Sequence, residues 1–289
     1  MSEAAFGLLV VDKPRGITSH DVVAQARRVT GIRKIGHAGT LDPLATGVVV
    51  LALGRATRLI RYVQDQEKEY VALVQFGVAT DTLDADGTET ERAPMALDQQ
   101  GLTDALVAFR GEIEQVPPMV SALKHEGKRL YEIARRGAEV ERPPRLVTIH
   151  ELELNEFFPG DYPRAELRVV CSKGTYVRAL ADDIGRSLGG RAHLLALRRT
   201  RVGVFGLGHA ITIEDLASWT SYLRDPVEAV SGLDEWRASE EEAIAVRHGR
   251  RLPSPAVGGG HWAVIDREGH LLAVYRQRGR EAVAEVVLA

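Results

Sequence analysis

The sequence predicts a mixed α/β (α+β) fold, and three observations carry that prediction. Val48-Val49-Val50-Leu51-Ala52-Leu53 is an uninterrupted apolar run, as expected of a strand buried on both faces. Tyr70, Ala72, Val74 and Phe76 alternate with less apolar neighbours, the period of a strand with one buried face. Val177, Leu180, Ala181, Ile184 and Leu188 recur at helical spacing before Gly189-Gly190. Strands and helices mix without strict alternation, which points to an α/β or α+β sheet domain.

The elements follow in order. Gly7 to Asp12 is a short apolar run stopped by Lys13-Pro14-Arg15-Gly16, and Ser19 then precedes Val22, Val23, Ala26 and Val29 at helical spacing. A glycine-rich loop from Gly36 to Gly47 leads into the apolar run. Leu102, Leu106 and Phe109 predict a helix closed by Gly111, and strands are expected around Ile149 to Leu154 and Leu167 to Cys171. The polar face of the helix from Tyr176 to Leu188 carries Arg178, Asp182, Asp183 and Arg186. The pattern changes near Asp225-Pro226 and Ser231-Gly232. Beyond it, Ser239-Glu240-Glu241-Glu242 reads as a capping box opening a short helix that ends at Gly249. Three strand-like runs around Val264, Ala273 and Val286 complete a small C-terminal β module.

Length and composition are those of a globular protein of about two domains. The single cysteine, Cys171, excludes an intrachain disulfide and a multi-cysteine zinc site. No apolar stretch approaches a membrane span and the first residues lack a basic signal region, so a cytoplasmic protein is expected. A net charge of -3 argues against a protein that coats nucleic acid non-specifically. The charge is uneven, however: acids crowd the stretch from Glu67 to Glu91, and bases crowd that from Lys124 to Arg145.

Several chemistries find no foothold. Asp81-Thr82-Leu83-Asp84-Ala85-Asp86-Gly87 has the look of a calcium loop, but aligning Gly87 with the turn position places Ala93 where a carboxylate is required. The nine histidines form neither a His-x-x-x-His pair nor a Cys/His cluster, so no metal is expected. Phosphate-cradling glycine loops of the nucleotide-binding kinds are missing too, and no cofactor is expected. The loop from Gly36 to Gly47 holds one carboxylate, Asp42, stiffened by Pro43 and flanked by glycines. Read alone it is a turn aspartate.

Its surroundings change that reading. Lys13-Pro14-x-Gly16-x-Thr18-Ser19, Gly36-His37-x-Gly39-x-Leu41-Asp42-Pro43-x-Ala45-x-Gly47, Lys68-x-Tyr70 and Gly174-Thr175-Tyr176-Val177-Arg178 occur in this order. Gln115-x-Pro117-Pro118-x-x-Ser121-Ala122-x-Lys124, Tyr131-Glu132-x-Ala134-Arg135-x-Gly137 and Ala192-His193-Leu194-x-x-Leu197-Arg198-Arg199 add to them. Over roughly residues 7 to 220 the chain resembles the TruB family of bacterial tRNA pseudouridine synthases. The C-terminal module resembles, more loosely, a PUA domain, a small RNA-binding barrel.

The resemblance implies a pseudouridine synthase catalytic domain over 1–228, with a basic RNA-gripping insertion about 117–146, and a PUA-like domain over 229–289. It implies isomerisation of uridine to pseudouridine at position 55 in the TΨC loop of tRNA, without a cofactor, on a base flipped out of its stack. Asp42 matches the catalytic aspartate, Tyr70 the tyrosine stacking on the uracil, and Arg178 the arginine pairing with the aspartate. Tyr176 and Leu197 match pocket residues, and His37 a histidine contacting the RNA near the vacated stack. Lys13 and Pro14 are expected to brace the site from beneath, and Lys124 and Arg135, in the basic segment, to contact RNA. tRNA is the expected partner, no obligate protein partner is implied, and a monomer is expected. The rival reading is a tRNA-binding folding chaperone without catalysis; a glycosidase-like hydrolase would need a second carboxylate that no motif supplies.

Overall fold

The computed structural model describes residues 6–119, 124–125, 128–129, 140–255 and 260–288. The chain runs β1 (Gly7–Lys13), α1 (Ser19–Thr30), β2 (Ile35–His37), β3 (Thr46–Leu53), α2 (Ile60–Asp65), β4 (Lys68–Phe76), and a ribbon of β5 (Val78–Thr80) and β6 (Glu89–Arg92). It continues with α3 (Gln99–Leu106), β7 (Gly111–Gln115), a second ribbon of β8 (Lys124–His125) and β9 (Lys128–Arg129), then β10 (Arg145–Phe158) and β11 (Arg164–Cys171). Helix α4 (Val177–Ser187) precedes β12 (Ala192–Val202) and β13 (Phe205–Gly206). The C-terminal module is β14 (Asp234–Arg237), α5 (Glu240–Arg247), β15 (Leu252–Pro253), β16 (His261–Ile265), β17 (Leu271–Arg278) and β18 (Glu281–Val287).

A nine-stranded sheet in the order β1-β3-β12-β4-β11-β10-β7, with β2 on β3 and β13 on β12, forms the body of the molecule. Its ladders are antiparallel except for one short parallel seam, where Thr46 and Gly47 of β3 meet Arg198 and Arg199 of β12. Alternation sorts the side chains. Leu9, Val11, Val49, Leu51, Tyr70, Ala72 and Val74 face one core, against residues of α1, α3 and α4. Leu8, Val10, Val48, Val50 and Ala52 face a second. Strand β3 is therefore apolar throughout because both of its faces are covered.

Helix α1 starts one residue earlier than its apolar spacing suggests. Thr18, not Ser19, is the N-cap: it accepts from the Asp21 N–H while Asp21 caps back onto Thr18. Ser19 is fully buried and its hydroxyl is spent on the Asp42 loop. In the C-terminal module the Ser239–Glu242 capping box and the end of the helix at Gly249 are as expected. The module has five strands rather than the three expected, in the order β14-β16-β17-β18-β15. The two additional strands are short, and one ends on Pro253, so neither shows an alternation in sequence.

The second core continues into that module. Ala263, Ile265, Leu271, Val274 and Val286 belong to the same buried cluster as Leu8, Val48 and Val63. Polar contacts frame it: Glu285 of β18 accepts from Arg61 at 2.6 Å and Tyr62 at 3.0 Å, and pairs with Arg276 at 3.0 Å. Arg58 donates to the Val287 carbonyl at 2.6 Å, and Gln66 to that of Ala229 at 3.1 Å.

A shared core predicts shared unfolding. Ile265→Ala, at a position 1% exposed, should cost about 2–5 kcal/mol and lower the melting of body and module together, seen as one calorimetric transition. Two separate transitions would show that the cluster does not couple them.

Candidate active site

The loop between β2 and β3 is held from two sides. From the N-terminal side, the buried Lys13 ammonium donates to the carbonyls of Pro14 (2.9 Å), Ile17 (2.7 Å) and Pro43 (3.4 Å). The Gly16 N–H donates to the Pro43 carbonyl at 2.8 Å, and the Leu41 N–H to the Ser19 hydroxyl at 2.8 Å. From the sheet side, Arg199 is 1% exposed and donates to the carbonyls of Val48 (2.7 Å), Gly39 (3.1 Å) and Thr40 (3.4 Å). Gly47 makes that approach possible: a Cβ there would lie 2.1 Å from the Arg199 carbonyl oxygen, and its φ of +102° is itself a glycine conformation. Asp42 stands on the clamped loop with its side chain 40% exposed.

Arg178, in the first turn of α4, has a side chain only 5% exposed and places Nη2 2.9 Å from Asp42 Oδ2. Its Nη1 donates to the Thr82 carbonyl at 2.8 Å and lies 3.5 Å from Asp84 Oδ2. Asp182, one turn along α4, is occupied by Arg191 and Arg186, each with Nε at 2.8 Å, so Arg178 faces the cleft. Asp84 is 5% exposed; burial raises its pKa, opposed by a hydrogen bond from Thr82 and the charge of Arg178. The turn bearing it is docked onto β12 through Leu194, with hydrogen bonds of 2.8 Å from the Ala85 N–H and 3.1 Å to the Leu83 carbonyl. Leu83 takes the left-handed conformation, φ +63°, to turn the chain there.

These groups open onto a cleft of about 650 Å3 lined by Asp42, Lys68, Tyr70, Tyr176, Arg178, Leu197 and Arg199 among others. A volume in this range accepts a nucleotide. Tyr70 sits in the middle of the sheet, in register with Arg199 of β12 and Val169 of β11, and is 8% exposed. Burial raises its phenol pKa above the ordinary value, although Arg199 works the other way. Tyr176 is half-buried at the N-cap of α4, its N–H donating to Gln115 Oε1 at 2.7 Å and its carbonyl accepting from Gln115 Nε2 at 3.1 Å. Lys68 shares the buried face of β4 with Tyr70 and donates to the Gln66 carbonyl at 2.5 Å and to that of Gln64, tying down the end of α2. Burial pushes its pKa down to about 8, with Arg199 adding to the shift; Lys13 is lowered to about 8 by burial, against the opposing pull of Asp42.

Of the residues singled out in sequence, the structure gathers Asp42, Tyr70, Tyr176, Arg178 and Leu197 around one cleft. His37 is not among its lining residues. It ends β2 at the foot of the loop, edge-on to His20 with ring centroids 5.0 Å apart. Its Nδ1 is buried without a hydrogen-bond partner among the described residues, and burial, with His20 adding, pushes its pKa down to about 4. The ring is therefore neutral near pH 7. Arg135 and the side chain of Lys124 lie outside the described residues. Sequence reasoning missed Asp84, Gln115, Lys68 and Arg199 as parts of the site. All but Asp84 stand inside the quoted motifs, and a buried position was the signal that sequence spacing could not give.

Three family models match the chain in succession: the TruB family pseudouridylate synthase N-terminal domain over residues 27–177, the tRNA pseudouridylate synthase B C-terminal domain over 178–233, and the tRNA pseudouridine synthase II C-terminal domain over 233–289. Proteins described as tRNA pseudouridine synthase B are similar along most of the chain. That of Symbiobacterium thermophilum is 51% identical over 84% of this chain and 82% of its own, and that of Thermobifida fusca is 43% identical over 99% of each. Among solved structures, a Cbf5-Nop10-Gar1 complex aligns with TM-score 0.77 at 27% identity, covering 98% of this chain and 85% of the other. An H/ACA RNP bound to a substrate RNA containing 2′-deoxyuridine aligns with TM-score 0.75 at 26% identity, with the same coverage. With matched models spanning the cleft, the clamped loop and the C-terminal module, the chain belongs to the TruB family of pseudouridylate synthases.

Proposed function

We propose that this protein isomerises uridine to pseudouridine in tRNA, at position 55 of the TΨC loop, with Asp42 as the catalytic carboxylate and without a cofactor. Membership of the family supports the reaction and the tRNA substrate; the position rests on the family resemblance described above. The observation that carries the catalytic assignment is a guanidinium, Arg178, that is 5% exposed and set 2.9 Å from a solvent-reachable aspartate in a cleft floored by a tyrosine.

The reaction breaks the N1–C1′ bond, turns the base and joins C5 to C1′, while C5 loses a proton and N1 gains one. Nothing is oxidised or reduced and no atom is acquired except a solvent proton. A carboxylate aimed at the sugar or at C6 supplies the nucleophile or base that this needs. Tyr70 gives the flipped uracil an aromatic face, and its raised pKa keeps the phenol protonated. Arg178 orients Asp42, and Asp84 anchors Arg178 from the other side. Tyr176 and Leu197 complete the pocket wall. A duplex cannot present its uridine to Asp42, so the base leaves its stack, and His37 contacts the RNA beside the gap. Residues 1–228 form the catalytic unit, the basic segment about 117–146 with Lys124 and Arg135 grips the phosphates, and 229–289 adds a second RNA contact. Arg278 and Arg280 of that module are exposed, whereas Arg276 is engaged by Glu285.

A tRNA-folding chaperone without chemistry would have no use for a buried arginine shared by two aspartates on separate loops. Release of tritium from tRNA carrying uridine labelled at C5 separates the two readings. Wild-type protein should release label and place pseudouridine at position 55, mapped in tRNA incubated with and without it. Asp42→Asn should bind tRNA as before and lose turnover by more than about a thousandfold. Appreciable turnover by that variant would remove Asp42 from the chemistry. Asp84→Asn should lower turnover about ten- to a hundredfold, the scale of one charge-assisted hydrogen bond, with tRNA affinity unchanged; a purely affinity-level defect would contradict its placement behind Arg178. Turnover should also survive exhaustive dialysis against a chelator with nothing added back.

A further inference from the structure

Tyr176 is held in the cleft wall by a side chain from a distant strand. Gln115 ends β7 and is 2% exposed, and its carboxamide meets both main-chain groups of Tyr176: it accepts from the N–H at 2.7 Å and donates to the carbonyl at 3.1 Å. A carboxamide carries acceptor and donor side by side, so it pairs with one residue much as a neighbouring strand would. The same Tyr176 carbonyl accepts the Leu180 N–H at 3.0 Å, the first helical bond of α4. Tyr176 is the N-cap residue of that helix, extended at φ −104° and ψ 103°, and its own side chain caps nothing. Gln115 thus fixes the point and direction at which the chain enters α4. Arg178 follows two residues later, in the turn so defined. The other end of the loop is tied separately, with Ser172 and Thr148 exchanging hydrogen bonds of 2.8 and 2.9 Å.

We infer that Gln115 is a positioning residue for the reaction: its carboxamide sets Tyr176, and through the first turn of α4 Arg178, against Asp42. The inference rests on the reading of the cleft proposed above. Gln115 also stands where the chain leaves the sheet. Two residues on, the Pro117 carbonyl accepts from Arg142 at 3.1 Å, so the strand end that orients Tyr176 is also the root of the segment assigned to gripping RNA. Contacts at that root and geometry at Asp42 meet in one side chain.

The test exploits what a carboxyl can do in place of a carboxamide. Gln115→Glu is isosteric. Ionised, it still accepts from the Tyr176 N–H but sets a second oxygen against the carbonyl. Protonated, its O–H donates to that carbonyl and both bonds return. Burial and the facing carbonyl push such a carboxyl up toward neutrality. The charged groups nearest it along the chain and in strand register are Glu114 on β7 and Arg145 opposite on β10, and Arg178 lies two residues beyond its partner Tyr176. These, with Glu112 on β7 and the acids and bases farther along β10 and α4, are all present in the wild type, which is the reference at each pH. Gln115→Met fills the space and makes neither bond.

Turnover of tRNA, tRNA affinity and melting temperature are measured for the three proteins from about pH 6 to about pH 8.5. Relative to wild type, Gln115→Glu should turn over about tenfold more slowly at the alkaline end and recover to within about threefold at the acid end. Gln115→Met should stay about tenfold down throughout, and both variants should bind tRNA within about threefold of wild type. A Gln115→Glu defect that is the same at both ends, a fully active Gln115→Met, or affinity falling in step with turnover would each overturn the inference. A variant that melts below the assay temperature would overturn it too, by making Gln115 a residue of the fold. Lack of turnover by the wild type would instead defeat the proposed function and leave the hydrogen-bond geometry where it is.

Discussion

The buried guanidinium of Arg199 is the constraint on which the rest of the molecule is built. A cation at 1% exposure is tolerable only if its donors are met, and here they are met by the carbonyls of Gly39, Thr40 and Val48. Two of those carbonyls belong to the loop that carries Asp42, and the third to the strand that follows it. Arg199 itself lies on β12, at the seam where β12 joins β3 in parallel. One side chain therefore holds the sheet together at its only parallel ladder among the described residues and fixes the loop above it. Gly47 follows from the same requirement, since any Cβ would collide with the Arg199 backbone. Lys13 repeats the device from the opposite side, a buried ammonium met by carbonyls, one of them that of Pro43. Asp42 stands on a loop whose carbonyls meet the hydrogen bonds of two buried cations beneath it.

The second layer of the site is a division of charges along one helix. Arg178, Asp182 and Arg186 lie at spacings that allow ordinary salt bridges on the helix face. The pairing realised is set by what else reaches them: Arg191 returns from beyond α4 and, with Arg186, takes both oxygens of Asp182. Those arginines outweigh the effect of burial and hold the Asp182 carboxyl below the usual range. Arg178 is left to face across the cleft, where Asp42 and Asp84 share it. An arginine shared by two carboxylates keeps its plane when one of them reacts, which a single pair would not guarantee.

How much of this was legible in sequence depended on whether the signal was local. The apolar run of β3, the alternation of β4 and the apolar face of α4 follow from periodicity, and they place Tyr70 and Arg178 on the correct elements. The Asp42 loop, read alone a turn, stood out only through the ordered motifs around it. Asp84 did not, because its stretch reads as acidic surface and as a failed calcium loop. Its importance comes from Leu83 turning left-handed and from docking onto Leu194, more than a hundred residues away in sequence. Gln115 was hidden for the same reason: its partner is sixty-one residues on, and a main-chain partner leaves no side-chain pattern to read. At the start of α1 either the Thr18 or the Ser19 hydroxyl could cap, and only the demand of Leu41 for a partner separates them. His37 stands at the foot of the same loop but outside the cleft lining, a distinction that its place in the motif does not carry.

The arrangement of α2 ties the C-terminal module to these demands. Lys68 binds the carbonyls that end the helix, and Gln64 and Asp65 line the cleft, where Asp65 pairs with Lys173 at 2.7 Å. The preceding residues, Arg61 and Tyr62, turn the other way and converge on Glu285, which also gathers Arg276 and, at 3.4 Å, His261. Arg61, Tyr62 and Arg276 on one carboxylate at 17% exposure tie the helix to the module above the shared apolar cluster. A single short helix thus serves as cleft wall on one side and as the module's anchor on the other. Body and module therefore meet through α2, whose two faces contact the cleft and Glu285.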